Sequence, residues 1–272
     1  MTPSARVRVG AVSYLNTKPL VYGLQPDDPR IDLAYDLPSR LADGLHEGRL
    51  DVALIPSIEV FRNPGYAIVS DACIAAHGRV LSVRLLGRVP LREARSLALD
   101  EGSRTSVALA RLLLNERFGL EPALHPFPIG ARIEDTTADA VLVIGDRAIH
   151  PPRGGFVENW DLGEEWRRCT GLPFVFAVWA ARDGGVAPAV AGALSASRDL
   201  GVANLATIAA REASAVDLTR DACLAYLRDN LHFRLGPSEI RGLETFYRSV
   251  HRLGLAADGW RGRFAGVPPG RL

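Results

Sequence analysis

"VGAVSYLNTKPL", residues 9–20, begins as a core strand and ends as a polar turn. Val9, Ala11 and Val12 are apolar, and "RVRVGAV" (6–12) has the alternation and valine content of a buried strand. Ser13, Tyr14, Asn16, Thr17 and Lys18 then arrive together, just ahead of Pro19, whose fixed φ suits the first turn of a helix. Lys18 is the only lysine among 32 basic residues. A strand that hands a cluster of hydrogen-bonding side chains to the start of a helix is the unit of an α/β fold. In such folds ligands sit beyond the carboxyl ends of the strands.

The same unit recurs along the chain. "IDLAYDL" (31–37) reads as a second strand, followed by Pro38, a Ser39 cap and a helix with Leu41 and Leu45 on one face. "DVALIP" (51–56) is short and almost wholly apolar, as a strand covered on both faces should be, and Ser57 follows it as a cap. "YAIVSDACIAA" and "VLSVRLLGRV" flank His77-Gly78, which predicts a hairpin or sharp reversal. From residue 90 the pattern restarts, with the strand "RSLALD" (95–100), the polar turn "EGSRTS" and a helix carrying Val107, Ala110, Leu114 and Phe118 in register. "ALHPFP" and "ADAVLVIGD" supply two more strands, and "LPFVFAVWAAR" (172–182) a long apolar one.

Residues 186–272 read as helical, with Leu224, Leu227 and Leu231 on one stripe. Ile240, Leu243, Phe246, Tyr247 and Val250 form another, capped by Ser238, and the tail "GVPPGRL" (266–272) is expected to fray. Two α/β units and a helical coda predict two lobes joined by crossing segments, with a cleft between them.

Composition narrows the chemistry. A chain of 272 residues, 47% hydrophobic and 23% charged, has the balance of a globular protein with a substantial core. A formal net charge of +1 gives no footprint for nucleic acid or an anionic membrane surface. No apolar leader and no run of ~18 uncharged apolar residues is visible, so a cytoplasmic location is expected. Cys73, Cys169 and Cys223 lie far apart without CxxC spacing and read as buried thiols. The histidines show no HxH or HxxxH spacing, so no metal site is expected.

The polar strand ends carry the functional signal. Ser13, Tyr14, Asn16 and Thr17 follow the first strand and Ser57 the third. Ser103, Arg104, Thr105 and Ser106 follow the first strand of the second half, and Gly145 and Asp146 its last. Each cluster precedes or caps a helix, where unpaired N–H groups and the positive dipole end bind carboxylate or phosphate. Serine and threonine cap helices in every kind of protein, so the inference rests on their number and shared position. The GxSxG, GxxxxGK[ST] and GxGxxG patterns are absent. His77 and His125 lie by turns, and Lys18 lacks a desolvating pocket for Schiff-base chemistry. The residues alone describe a two-lobed binder of a small anion.

The blocks "VGAVSYLNTKPLVYGL", "GRLDVALIPSIE", "DEGSRTSVALARLLL", "ADAVLVIGDRAI" and "DLGEEWRRCTGLPFVFAVW" resemble the chorismate dehydratase family of the futalosine route to menaquinone, in order over roughly residues 7–182. The resemblance implies a periplasmic-binding-protein type II-like α/β fold, each lobe a mixed, mostly parallel sheet flanked by helices. The first lobe would take residues 1–88 and 177–272 and the second 89–176. It also implies a cofactor-independent hydro-lyase acting on chorismate, a small dianion, as monomer or homodimer. In that family the asparagine of SYLNTKP belongs to the active site, here Asn16, and a serine maps to Ser82 in "VLSV". Ser103, Thr105 and Ser106 are then expected on a substrate carboxylate, with Gly145 allowing close backbone approach. The sibling 1,4-dihydroxy-6-naphthoate synthase opens with a different, SPCPNDT-like block. A solute-binding protein of the same fold would bind without turnover.

Overall fold

The computed structural model describes residues 6–24, 28–152, 154–182 and 186–265, so the tail 266–272 lies outside the described residues. The first half runs β1 (Val7–Val12), α1 (Lys18–Val21), β2 (Ile31–Asp36), α2 (Pro38–His46), β3 (Val52–Pro56), α3 (Ile58–Arg62) and β4 (Ala67–Ala76). The chain then crosses to β5 (Val83–Gly87), β6 (Ser96–Asp100), α4 (Arg104–Phe118), β7 (Ala123–Phe127), β8 (Ala140–Ile144), α5 (Asp146–Ile149), β9 (Glu158–Asp161) and α6 (Leu162–Thr170). It returns through β10 (Phe174–Ala181) to α7 (Pro188–Ala203), α8 (Leu205–Glu212), α9 (Arg220–Ala225), a π-helical turn at Tyr226–Asn230, β11 (His232–Arg234) and α10 (Pro237–Arg252).

Two sheets result, a six-stranded one in the order β11-β4-β10-β3-β1-β2 and a five-stranded one in the order β7-β6-β8-β5-β9. Between the named strands, parallel pairing is confined to β2-β1-β3 and β7-β6-β8, and the other pairings are antiparallel. The sheets are therefore more evenly mixed than the expected mostly parallel ones. The physical reason is that strands next to the crossings must run against the βα units to carry the chain from one sheet to the other.

β3, β8 and β10 are buried along their whole length, which explains their lack of polar alternation. One large apolar core runs continuously from the first sheet into the second, and a smaller one around Phe127, Val141 and Val143 covers the far face of the second sheet. Trp166 and Trp179 are core residues, and the buried ion pair of Arg198 with Asp71, at 3.0 Å, pins α7 to β4.

Residues 77–82 are a crossing between lobes and form no hairpin, because β4 and β5 belong to different sheets. The Asp161 carboxylate holds this crossing by accepting from the backbone N–H groups of Val80 at 2.9 Å and Leu81 at 2.7 Å. By sheet membership β5 sides with the second lobe, since it pairs with β8 and β9, and β10 sides with the first from Phe174 onward, where it pairs with β4. A division at 88/89 would part β5 from β8 and β9, and one at 176/177 would split β10 after Phe176.

Several expected caps lie elsewhere. α2 begins at Pro38 after Leu37, and α10 begins at Pro237 with Gly236 as its cap, the Glu239 carboxylate accepting from the Gly236 N–H. The Ser57 side chain makes no cap either. Cys73 and Cys223 are buried, but Cys169 is exposed on α6.

Candidate active site

Between the two sheets lies a narrow pocket whose cavity volume is about 50 Å³. Tyr14 and Asn16 enter it from the end of β1, and Ser82 and Val83 from the crossing into β5. Ser103 and Ser106 come from the start of α4, and Ile144 and Gly145 from the end of β8. Apolar walls are added by Val12, Pro38, Pro56, Ile74, Val80 and Phe176. No charged side chain is among the described residues that line it.

Each polar group is placed by local geometry. Leu81 adopts the left-handed region at φ 62, which is rare for a branched residue, and Ser82 follows it into the pocket. Ser103 is the extended N-cap of α4; its hydroxyl accepts from the Ser106 N–H at 3.2 Å and donates to Ser106 Oγ at 2.8 Å. The N-terminus of a 15-residue helix thus opens on the pocket with two hydroxyls at its rim. Gly145, at φ 71, is required for a second reason: a Cβ there would stand 2.9 Å from the Tyr14 ring. Its freedom serves the packing of Tyr14 across the lobes. The Tyr14 phenol is pushed up to about 12, first by burial and then by Asp100, and it stays a neutral donor.

Of the expected site residues, Tyr14, Asn16, Ser82, Ser103, Ser106 and Gly145 share this pocket, while Ser13, Thr17, Ser57, Arg104, Thr105 and Asp146 do not line it. Ser13 is exposed, its backbone tied to the Asp36 carbonyl. The buried Ser57 hydroxyl donates to the Val175 carbonyl at 2.7 Å, and buried Thr105 accepts from the Ile58 N–H at 3.1 Å. Arg104 is spent on Asp43 and Glu59, and the buried Thr17 hydroxyl donates to Asn16 Oδ1 at 3.4 Å. The Asp146 carboxylate accepts from the Leu15 N–H at 3.2 and 3.3 Å, joining the second lobe to the polar turn of the first; burial pushes its pKa up, against that N–H. Lys18 pairs with Glu212 on α8 at 3.1 Å.

Sequence reasoning missed the apolar walls and the His77 environment. His77 Nε2 lies 2.6 Å from Glu239 Oε1, with His232 beside it, a meeting of three elements that no spacing along the chain announces. Glu239 is already committed to capping α10. His125 is exposed on β7. The walls had a signal at two strand ends, Pro56 closing β3 beside Ser57 and Ile144 closing β8 beside Gly145.

Comparison with known proteins places this geometry. Residues 7–252 match the family model described as menaquinone biosynthesis. A chorismate dehydratase of Thermus thermophilus is 32% identical over 260 residues, covering 89% of this chain and 94% of its own. A crystal structure of an Archaeoglobus fulgidus protein superposes with a TM-score of 0.71 at 15% identity, covering 92% of this chain and 98% of that one. A Candida albicans protein described as having the generic periplasmic binding protein fold gives 0.62 at 11% identity, covering 94% and 92%. These two likenesses establish the fold. None of the helices described is long and apolar enough to cross a membrane.

Proposed function

This chain belongs to the menaquinone biosynthesis family, and on that premise we propose that it is a chorismate dehydratase, converting chorismate to 3-[(1-carboxyvinyl)oxy]benzoate and water. The observation that carries the reading is the convergence of Asn16, Ser82, Ser103 and Ser106, from both lobes, on one pocket walled by apolar side chains. An apolar-walled cavity lined by neutral donors suits a dianion whose charge must move during the reaction.

The chemistry follows from the substrate. Removing the C3 proton leaves an electron pair that delocalises through the ring diene onto the ring carboxylate. That pair then closes the new ring double bond as the C4–O bond breaks, and the ring becomes aromatic. The Ser103 and Ser106 hydroxyls and the α4 N-terminus would hold the ring carboxylate and stabilise the developing charge. With no carboxylate or imidazole among the described lining residues, the enolpyruvyl carboxylate of the substrate takes the C3 proton itself. The proton leaves with the C4 hydroxyl as water. Asn16 and Ser82 hold the pose; an amide is no base at neutral pH. The step needs no cofactor. A cytoplasmic monomer or homodimer without a nucleic-acid partner completes the reading.

The test is to mix the purified protein with chorismate, without metal or nucleotide, and follow the ultraviolet absorbance. An aromatic product released with the protein, and absent without it, is the expected result. Binding without turnover would instead make the chain a solute-binding protein of this fold.

A further inference from the structure

Tyr226 is 1% exposed, its ring embedded in the core, and its hydroxyl has no hydrogen-bond partner among the described residues. Such a group is costly to bury, so its presence needs a reason. The polar side chains that interact with it are Ser82 and Asn16, both in the pocket wall. Tyr226 also opens the π-helical turn Tyr226–Asn230 that ends the helix begun by α9. Turns of this kind insert an extra residue at some cost and recur at functional sites.

The donor inventory gives the direction of the contacts. Asn16 Oδ1 already accepts from Thr17, which leaves the Asn16 amide hydrogens free. The Ser82 hydroxyl donates only weakly to the Val80 carbonyl, at 3.4 Å, and its lone pairs are open. Resting on the dehydratase reading, we propose that Tyr226 is a positioning residue: its hydroxyl accepts from the Asn16 amide and donates to Ser82 when substrate fills the pocket. The chain Asn16 to Tyr226 to Ser82 then aims the Ser82 hydrogen at the departing C4 hydroxyl, and each bond polarises the next. Burial, with Asp146 and Cys223 acting in the same direction, keeps the phenol protonated.

Kinetics of Tyr226→Phe, Ser82→Ala and the double variant with chorismate test this. Tyr226→Phe is expected to lower kcat by about 10- to 100-fold through lost alignment, with KM within about threefold. Its melting temperature should equal or exceed that of the parent, because an unpaired hydroxyl has been removed. In the Ser82→Ala background the same change should cost nothing more. Wild-type turnover in Tyr226→Phe overturns the proposal, and so do fully additive losses. A Tyr226→Phe protein that fails to fold overturns it too, since an isostere could unfold the chain only if the hydroxyl were structural. If the parent itself does not turn over chorismate, the dehydratase reading fails, which is a different result from an active parent with an equally active variant.

Discussion

Asn16 and Thr17 are neighbours, and Ser103 and Thr105 stand two residues apart, yet one of each pair faces the pocket and the other is sealed away from it. The pocket wall and the seam between lobes are built from the same residue types at the same strand ends. They differ in what satisfies the oxygen. In the seam, Thr105 accepts from the Ile58 N–H and Asp146 accepts from the Leu15 N–H. These groups are spent on the protein's own backbone and fix how the halves meet. In the pocket, Asn16 and Ser82 keep hydrogen-bonding capacity that the protein does not use. A strand end becomes functional when its polar group is left over.

Three substitutions probe that contrast. The largest effect is expected at Asn16, where Asn16→Ala should cut kcat for chorismate by about 10²- to 10³-fold, as loss of a preorganised donor does. Its melting temperature should stay at the parent's value. Near-normal turnover would remove Asn16 from the site.

Thr105→Val keeps shape but leaves the buried Ile58 N–H without its acceptor, at a cost of about 1–3 kcal/mol. Calorimetry should show a lower melting temperature, while kcat at saturating chorismate stays within about twofold of the parent. Lost turnover at unchanged stability would erase the distinction between seam and wall.

The smallest effect belongs to Asp146→Asn, which keeps an acceptor for Leu15 and removes a charge. Burial raises the Asp146 pKa in the folded state, so its contribution is most favourable at low pH and is lost as pH rises through the folded value. At neutral pH the variant should match or exceed the parent in stability, by about 1 kcal/mol or less. As pH falls through the carboxylate range, the parent should gain relative to it. Melting curves of both proteins against pH test the sign, and a parent that instead loses ground on acidification would show that the carboxylate is held as a needed anion.

Much of the fold was readable from periodicity. The buried runs of β3, β8 and β10 lack alternation because both faces are covered; on α4 the expected stripe is half right, with Ala110 and Leu114 buried and Val107 and Phe118 only partly so. The start of α4 even holds the finer answer. Ser103 and Ser106 are three residues apart and share a side, and Thr105 falls on another. Of the two readings of His77-Gly78 the hairpin fails; a hairpin and a lobe crossing need the same local turn. Only the partners of β4 and β5 tell them apart.

The sequence by itself determined the α/β units and the strand ends that gather polar residues, because these depend on local period and composition, while its motif blocks carried the resemblance to the family. Tertiary structure alone decided which of those polar groups reach the pocket, and that Tyr226, 210 positions beyond Asn16, comes to lie beside it. Whether a hydroxyl is spent or spare depends on the group that packing sets against it, as the Ile58 N–H is set against Thr105 from the other lobe. No local pattern encodes that group.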